Sequence, residues 1–560
     1  MPVLDWLGKK AVVNHHKDVP YRLLHCDKTK SVGDPEAGNL LVQGDNLEAL
    51  KALLPYYAGK VNCIYIDPPY NTGNEGWVYN DNVNSLEIAA WLGRTVGKEM
   101  EDLSRHDKWL CMMYPRLRIL YDFLAEDGVL ACSINDKEYP RLTMLLETVF
   151  GTNNFLGCFI WVNEGNIDNQ SRIKTNHEYV VVFGKHEADF LPGGVIDPNI
   201  EDSSKLLNSK IRNTIVKNGP RNPVSDLVLP AGFPANFKEG TIVPSKADDF
   251  WPKFDQPIVV KHGKLVSEAR VRSGWSSKSQ CELYIAAGFH DIIDRKGLRT
   301  RFDITASGAV FIEKDRSGEQ SHVLTVLTGL GTVQEAAANL QKLGVQFDYP
   351  KPVRLISYLI KALCPDRDAL VLDSFAGSGT TGHAVLDLNA QDGGTRKFIL
   401  VEMDQSISKS VTRPRLKAVV KGDAGTLGRE SGFRFCTLGE SLFDAAGDVN
   451  SIVTFADLAA HVFFCDTGSP IPSRADGTTS LIGTFQGRTI YLLYSSASMG
   501  VPAARVGNVL TAGVLKALPS PGRDFIGTRV VYGEGCTVPD DRLASAGVVF
   551  RQVPYQIEGI

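Results

Sequence analysis

The sequence lacks an apolar run long enough to cross a membrane, a paired cysteine motif and a large net charge. Residues 1–16 also lack the apolar core of a signal peptide. We therefore expect a cytoplasmic protein without a membrane partner. The ten cysteines are scattered and form no CxxC pair. This pattern predicts buried free thiols rather than disulfides, and no metal site.

The small net charge of −4 conceals an uneven distribution of charge along the chain. Residues 204–301 contain 17 Lys and Arg against 9 Asp and Glu, whereas the other 462 residues carry −12. A basic segment of this kind can contact nucleic-acid phosphates. It can equally be a solvated surface, and charge alone leaves both interpretations open.

A chain of 560 residues is expected to form about three or four domains. In its first part, predicted strands and helices alternate. Asn39–Val42 is a short apolar strand, Asp45 and Asn46 form a polar turn, and apolar residues at helical spacing follow until a second strand at Val61. This is a βαβ unit. Asp45 could accept a hydrogen bond from a nucleotide base or could simply cap the helix, and the two roles are compatible.

The strand from Val61 ends at Asp67-Pro68-Pro69-Tyr70. Two prolines cannot continue a sheet ladder, and they stiffen the backbone just beyond the carboxyl end of a buried strand, where open α/β sheets hold their ligands. An acid, a rigid carbonyl and an aromatic ring are displayed there together. The tetrad is therefore a candidate reaction site, although a strand-to-turn corner could have the same four residues by chance.

Further alternation extends the predicted sheet. Val129–Ile134 is a buried strand, and the strands at 156–162 and 177–185 have only a polar connection between them, which predicts antiparallel neighbours. The glycine- and asparagine-rich residues 71–85 predict a mobile loop over the site. From about residue 189 to 346 the alternation disappears, and aromatic residues are interleaved with Lys and Arg; these aromatics could contact DNA, but most are expected in a core.

A second cluster of chemical interest follows when the α/β pattern returns at Phe347. The strand 369–372 runs into a glycine-rich turn, 373–382, and the next strand ends at Glu402. Glycines let the backbone approach a ligand, and an acid at the end of the following strand can hydrogen-bond ribose hydroxyls. No Gly-Lys-Ser/Thr follows, which disfavours a phosphate loop. Beyond residue 432, His461 and Cys465 have no further ligands nearby and are expected in a core.

In combination, these motifs resemble the beta group of amino-group DNA methyltransferases. The quoted stretches are GDNLEAL, DPPYNTG with VYND, MYPRL, VLACSIND, NHEYVVVFGK, FDYPKP and DSFAGSGTTG with VEMD, which together cover about residues 39–423. In particular, DPPYNTG followed by VYND, and MYPRL after a tryptophan, resemble the modification subunits of type III restriction-modification systems. The resemblance implies an α/β fold with a doubly wound, mostly parallel sheet, Rossmann-like and circularly permuted, in which the catalytic motif precedes the cofactor motif.

The resemblance also implies roles for individual residues. Asp67 and the Pro68 carbonyl would accept hydrogen bonds from the amine of a flipped adenine, Pro69 would stiffen the tetrad, and Tyr70 would stack on the base. S-adenosyl-L-methionine would be the cofactor, with Glu402 at its ribose, Asp45 at its adenine and Lys351-Pro352 at its methionine end. The remaining cofactor-binding candidates are Asn46, Asp373, Phe375, Ala376, Gly377, Gly379 and Thr380. No metal is needed.

The expected organisation has five parts: an N-terminal arm (1–38), a catalytic half (39–188), a DNA target-recognition domain (189–346), a cofactor-binding half (347–431) and a C-terminal accessory or assembly domain (432–560). The resemblance implies double-stranded DNA as substrate, a homodimer, and a restriction (helicase-nuclease) subunit as a further partner.

Other functions remain in view. A cytosine-N4 methyltransferase shares the chemistry, but its tetrad usually begins with Ser. A protein-glutamine methyltransferase would have Asn-Pro-Pro-Tyr and would lack the long insertion. An NAD-dependent oxidoreductase would leave the tetrad unexplained, and a catalytically inactive DNA-binding specificity subunit would have no need of an intact tetrad and cofactor turn.

Overall fold

The chain is described from a computed structural model, which covers residues 4–71, 104–163, 172–422, 431–495 and 508–553 except for the short gaps 196, 198, 201–207, 246, 248, 250, 295–296, 316–321, 521 and 523–526. The predicted loop at 71–85 lies outside these residues beyond Asn71. Among the described residues, no helix is both long and apolar enough to cross a membrane.

The strands are β1 (Arg22–Gly33), β2 (Leu40–Gln43), β3 (Val61–Ile66), β4 (Leu124–Ile134), β5 (Phe155–Val162), β6 (His177–Gly184), β7 (Lys210–Thr214), β8 (Ser225–Leu229), β9 (Gly240–Ile242), β10 (Ile258–Lys261), β11 (Lys264–Leu265), β12 (Ala269–Ser273), β13 (Ile292–Ile293), β14 (Arg299–Ile304), β15 (Val310–Asp315), β16 (Val326–Leu327), β17 (Leu370–Asp373), β18 (Lys397–Glu402), β19 (Gly432–Ser441), β20 (Leu481–Phe485), β21 (Arg488–Leu492), β22 (Val509–Leu510), β23 (Thr528–Gly533), β24 (Gly535–Cys536) and β25 (Val548–Gln552).

The helices are α1 (Lys9–Val12), α2 (His15–Asp18), α3 (Asn46–Tyr57), α4 (Arg105–Phe123), α5 (Tyr139–Phe150), α6 (Lys278–Ala286), α7 (Val333–Lys342), α8 (Val353–Leu363), α9 (Thr380–Asp392), α10 (Gln405–Ile407), α11 (Arg413–Lys421), α12 (Phe455–Thr467), α13 (Ala512–Ala517) and α14 (Asp540–Ser545).

The chain folds into two compact units. The first contains residues 1–193 and 323–560, and the second contains residues 194–322. The smaller unit is built from three small antiparallel sheets, β9–β11, β8 with β12, and β7 with β13–β15, together with α6. Its core buries Phe233, Phe254 and Trp275, so the expectation that aromatics of this segment are mostly core is confirmed for these three.

The larger unit contains a ten-stranded mixed sheet in the order β1-β19-β2-β18-β17-β3-β4-β6-β5-β16. The six strands from β19 to β4 are parallel. Strand β6 is antiparallel to β5, as predicted, and it is also antiparallel to β4. The central strands are almost completely buried, which fits their unbroken apolar sequences. Because β17 lies directly beside β3, the sheet brings together two stretches about 300 residues apart in the chain.

Local sequence explains how the helices around this sheet begin. The Asp45 carboxylate caps α3 by accepting hydrogen bonds from the backbone N–H groups of Leu47 and Glu48. Ser104 and Asp107 form a reciprocal capping box at the start of α4. Helices α3, α4 and α5 then bury their apolar residues in one core with β2, β3 and β4. The carboxyl ends of these strands are thereby held against rigid elements.

Three sequence-based expectations need correction. The N-terminal segment is not a loose arm, because β1 pairs with β19 along the edge of the large sheet. The boundary expected at residue 432 falls at the start of β19, a strand of that same sheet. Cys26 and Cys436 form a disulfide, contrary to the expectation of free thiols only. These two cysteines face each other directly on antiparallel strands, a proximity that spacing in the sequence cannot reveal.

The residues beyond β19 form a smaller sheet in the order β20-β21-β23-β25, with α12 packed on it. His461 lies buried on α12 within 3.7 Å of the Cys465 sulfur. Burial lowers the pKa of His461 to about 3, so the imidazole is neutral. Within the described part of the chain no cluster of His, Cys, Asp and Glu could hold a metal ion.

Candidate active site

A cavity of about 330 Å³ opens at the carboxyl ends of β3, β17 and β18. This volume lies within the range of about 300–1,000 Å³ that is usual for small-molecule sites. Both α/β halves of the chain contribute to its wall. The lining residues are Asn46, Tyr65, Asp67, Pro68, Pro69, Tyr70, Glu178, Val333, Phe347, Asp348, Tyr349, Pro350, Lys351, Asp373, Ser374, Phe375, Ala376, Gly377, Ser378, Thr380, Thr381, Glu402, Met403, Asp404 and Ile407.

Most of the candidate residues therefore meet in one place. All four residues of the tetrad line the cavity, as do most of the cofactor candidates. Asp45, Pro352 and Gly379 are outside the lining: Asp45 caps α3, Pro352 precedes α8 and Gly379 precedes α9. Asn46, the neighbour of Asp45, does reach the cavity and donates a hydrogen bond to the Ser374 carbonyl across 3.3 Å.

The tetrad is held from behind by α4 and α5. The indole N–H of Trp109, a fully buried residue, donates to the Pro69 carbonyl at 2.7 Å. Asn71 follows the tetrad with a left-handed backbone (φ 58°), and its amide donates to the buried carboxylate of Glu138 at 2.5 Å. Among the described residues, no donor is bonded to the Pro68 carbonyl. The Pro69 carbonyl thus anchors the tetrad to α4, whereas the Pro68 carbonyl accepts no hydrogen bond from the described part of the chain.

Two polar side chains from elsewhere in the chain, Lys351 and Glu178, contact Asp67 and Tyr70 of the tetrad. The Asp67 carboxylate accepts hydrogen bonds from the Tyr70 hydroxyl (Oδ1, 2.8 Å) and from Lys351 Nζ (Oδ2, 2.7 Å). Glu178 Oε2 lies 2.9 Å from the Tyr70 hydroxyl and 3.3 Å from Lys351 Nζ. Burial alone lowers the pKa of Lys351, but Asp67 and Glu178 outweigh this and raise it, so Lys351 is an ammonium. Its nitrogen also lies 4.9 Å from the centre of the Tyr70 ring.

Sequence reasoning missed Glu178 as a site residue and assigned Lys351 to the cofactor rather than to the tetrad. A signal for Glu178 was present. It stands near the start of β6, and the amino end of an antiparallel strand lies at the same sheet edge as the carboxyl ends of its parallel neighbours. The predicted antiparallel direction of the strand at 177–185 was therefore a signal that Glu178 lies near the site. Lys351 precedes α8 and had no such local signal.

The glycine-rich turn forms the opposite wall. Gly377 and Gly379 both adopt a left-handed backbone (φ 48° and 78°), which favours glycine. A Cβ on Gly379 would lie 3.0 Å from the Thr412 methyl carbon. The Asp373 carboxylate accepts hydrogen bonds from the Phe375 N–H at 3.0 Å and from the Thr381 hydroxyl at 2.6 Å. Hydrogen bonds to the Asp373 carboxylate thus hold the two ends of the glycine-rich turn together.

Two buried carboxyl groups have raised pKa values in this wall. Burial raises the pKa of Glu402 to about 8, although its oxygens accept hydrogen bonds from the Gly377 and Asp404 N–H groups at 2.7 and 2.9 Å. Burial likewise raises the pKa of Asp373 to about 7. Glu402 is only 8% exposed and lines the cavity. Burial disfavours the ionised form of Glu402, and a ligand hydroxyl that donates a hydrogen bond to it would favour that form.

The chain is similar to several known proteins. A family model described as DNA methylase matches residues 61–413, more than half of the chain. The Mod subunit of the type III restriction-modification enzyme EcoPI of Escherichia phage P1 is 32% identical over 500 residues, covering 83% of this chain and 74% of that protein. The EcoP15I Mod subunit of Escherichia coli is 29% identical, covering 72% and 64%. A DNA modification methylase structure from Thermus thermophilus, complexed with S-adenosyl-L-methionine, covers 72% of this chain and 100% of that one at 13% identity and a TM-score of 0.30.

Proposed function

The chain belongs to the DNA methylase family that includes type III Mod subunits, and we propose that it transfers a methyl group from S-adenosyl-L-methionine to the exocyclic amine of adenine in double-stranded DNA. The observation that carries this proposal is the single cavity in which the Asp67–Tyr70 tetrad faces the glycine-rich turn and Glu402. Neither half of the site would be sufficient alone, because one offers groups for an amine and the other offers groups for a nucleoside.

The cavity fits a nucleoside cofactor. Glu402, buried and without a charged partner among the described residues, is suited to accept a hydrogen bond from the ribose. Ser374 presents a buried hydroxyl without a partner among the described residues. Phe375 and Ile407 supply apolar surface for a flat ring. When bound, the cofactor would supply an electrophilic methyl group on sulfur; the protein residues orient the two reactants.

On the DNA side, Asp67 and the Pro68 carbonyl would accept the two N–H groups of the target amine. Their hydrogen bonds direct the nitrogen lone pair to the methyl group, while Tyr70 stacks on the flipped base. The nitrogen forms a bond to the methyl carbon as the carbon–sulfur bond breaks, and the amine then releases one proton. Positioning supplies much of the catalysis, so a strong base is not required.

Adenine is the proposed base because the tetrad begins with Asp rather than Ser. The identity to Mod subunits of type III enzymes supports the same assignment and a role as the modification component of such a system. A Mod subunit is by name part of a larger enzyme, which supports a restriction subunit as partner. A homodimer, a cytoplasmic location and a circularly permuted order of the two halves are further parts of the proposal.

DNA reading is assigned to the compact unit 194–322, close to the segment 189–346 expected to hold it. Its charge is less extreme than residues 204–301 suggested: the whole unit has 19 Lys and Arg against 16 Asp and Glu. Several cations are paired, as Arg301 is with Asp315 at 2.7 Å. Arg270 and Arg272 project from alternate positions of β12, whose intervening residues are buried, and Arg272 keeps most of its side chain exposed although its Nε lies 3.8 Å from an Asp226 carboxylate oxygen. This exposed pair supports phosphate or base contact.

The test is methyl transfer from labelled S-adenosyl-L-methionine to DNA, followed by digestion to nucleosides and mass spectrometry. The wild-type protein should yield N6-methyladenine. Asp67→Ala should abolish transfer and keep most cofactor affinity, because it removes a group that engages the target amine. Asp368→Ala, an exposed carboxylate before β17, is the matched control and should be active.

Methylcytosine as the product would contradict the adenine assignment and leave the amine chemistry intact. Transfer by Asp67→Ala at the wild-type rate would show that the tetrad is a structural corner.

A further inference from the structure

Both oxygens of the Asp67 carboxylate already accept a hydrogen bond from the protein's own side chains. Its Oδ1 accepts the Tyr70 hydroxyl at 2.8 Å, and its Oδ2 accepts Lys351 Nζ at 2.7 Å. Lys351 is 8% exposed and carries a charge, so this is a partly buried ion pair. An amine that donates to Asp67 meets a carboxylate whose charge is already shared with an ammonium, and a charge-assisted bond to that ammonium weakens Asp67 as an acceptor.

The Glu178 carboxylate is a second acceptor for both of these donors, the Tyr70 hydroxyl and Lys351 Nζ. Its Oε2 lies 2.9 Å from the Tyr70 hydroxyl and 3.3 Å from Lys351 Nζ. Lys351 Nζ lies 2.7 Å from Asp67 and 3.3 Å from Glu178, so it is shared unequally between the two carboxylates and lies nearer to Asp67. A shift of a few tenths of an ångström would therefore exchange its principal partner.

We propose that Glu178 is a positioning residue that takes over Lys351 and the Tyr70 hydroxyl when Asp67 accepts the target amine. This inference rests on the proposed function, since it concerns the same amine and the same tetrad. Glu178 keeps Lys351 bonded and charged while Asp67 becomes available. Two carboxylates share one ammonium, so one negative charge is left for the amine.

The position of Glu178 in the sheet suits this role. It lies on β6, which is bonded to β4 on one side and to β5 on the other, with Trp161 as its cross-strand partner on β5. A side chain on a central strand is held more precisely than one on a loop. Its side chain is 21% exposed, so it reaches the cavity rather than the core. The strand places the carboxylate, and Lys351 with Tyr70 can move between two fixed acceptors.

The experiment compares four proteins in single-turnover methyl transfer with S-adenosyl-L-methionine and DNA: wild type, Glu178→Gln, Glu178→Asp and the double variant Glu178→Gln with Lys351→Met. Glu178→Gln keeps the side-chain volume but loses the charge, so Lys351 is left with Asp67 alone. We expect the transfer rate to fall by about 10²-fold, the scale of a misplaced reacting group. Cofactor affinity, measured by calorimetry, should remain close to that of the wild type.

The double variant separates positioning from simple structural support. If Glu178 acts by drawing Lys351 from Asp67, removing Lys351 from the Glu178→Gln protein should restore part of the lost rate. A purely structural residue would instead make the double variant slower still. Glu178→Asp keeps the charge and should be faster than Glu178→Gln. Glu187→Gln, an exposed carboxylate just beyond β6, is the matched control and should behave as wild type.

A wild-type rate in Glu178→Gln, or a double variant no faster than Glu178→Gln, would overturn the inference while leaving the proposed function intact. A wild-type protein that binds cofactor but methylates no DNA would overturn the proposed function, and the inference would fall with it. The two failures are therefore distinguishable within one assay.

Discussion

Binding of S-adenosyl-L-methionine should become tighter as the pH rises towards the pKa of Glu402. Burial raises that pKa to about 8, so the carboxyl group is mostly protonated at pH 7 in the free protein. A ribose hydroxyl donates its hydrogen bond best to the ionised carboxylate. The cofactor therefore favours the deprotonated form, and binding should release a proton.

The magnitude follows from the fraction of Glu402 that is ionised. With a pKa of about 8, about one tenth of the free protein is ionised at pH 7 and about nine tenths at pH 9. The dissociation constant should then fall by about tenfold between these two pH values, provided that the bound carboxyl is ionised throughout. Calorimetry in two buffers with different ionisation enthalpies would measure both the affinity and the number of protons released.

Glu402→Gln is the variant that isolates this group, since Asp373 titrates nearby with a pKa of about 7. The amide cannot ionise, so the tenfold change should disappear and the variant should bind more weakly than wild type at pH 9. If the wild-type affinity did not change between pH 7 and pH 9, or if the variant kept the same slope, the assignment of Glu402 to the ribose would be refuted.

The same shift predicts the stability of the free protein. The pKa of Glu402 is raised from 4.5 to about 8 in the folded protein. Below pH 4.5 the group is protonated in both the folded and the unfolded protein, so its ionisation does not reduce the free energy of unfolding there. Stability should therefore fall as the pH rises from about 4.5 to about 8, by at most about 5 kcal/mol for this group. Chemical denaturation across this range should show a smaller fall in Glu402→Gln.

Three further predictions concern the other parts of the molecule. Trp109→Phe removes the donor to the second proline carbonyl of the tetrad, and should slow methyl transfer while cofactor affinity is retained; equal transfer rates would show that this hydrogen bond does not position the tetrad. Gly379→Val forces a branched residue into a left-handed backbone against Thr412 and should lower the free energy of unfolding by about 1–3 kcal/mol, measured by denaturant titration. Replacing Arg270 and Arg272 with Gln should weaken DNA binding and reduce its salt slope by roughly one unit per lost phosphate contact, whereas Lys516→Gln, on an exposed position of α13, should change neither.

Much of the site follows from local sequence. The strand that ends at Asp67, the glycine-rich turn and the acid at Glu402 are each defined by neighbours within a few residues, because strand periodicity, proline restriction and glycine conformations are short-range properties. The antiparallel pair β5 and β6 was predicted from its short polar connection and is confirmed. The cap formed by Asp45 was one of two compatible interpretations, and its carboxylate does cap α3.

Other features depend on contacts between distant parts of the chain. The pairing of β1 with β19, which also brings Cys26 against Cys436, joins residues 410 positions apart and turns an expected arm into a sheet edge. The compact unit 194–322 has a smaller excess of positive charge than residues 204–301, because the flanking residues contribute mostly acidic side chains.

The groups proposed to carry the chemistry can be recognised in the sequence alone: the Asp67–Tyr70 tetrad, the glycine-rich turn and Glu402. The electrostatic connections among these groups come from the tertiary structure, since Lys351 and Glu178 lie in segments far from the tetrad and from each other. The physical reason is that hydrogen bonds and ion pairs depend on distances of about 3 Å, and strand order in the sheet, rather than spacing along the chain, sets those distances.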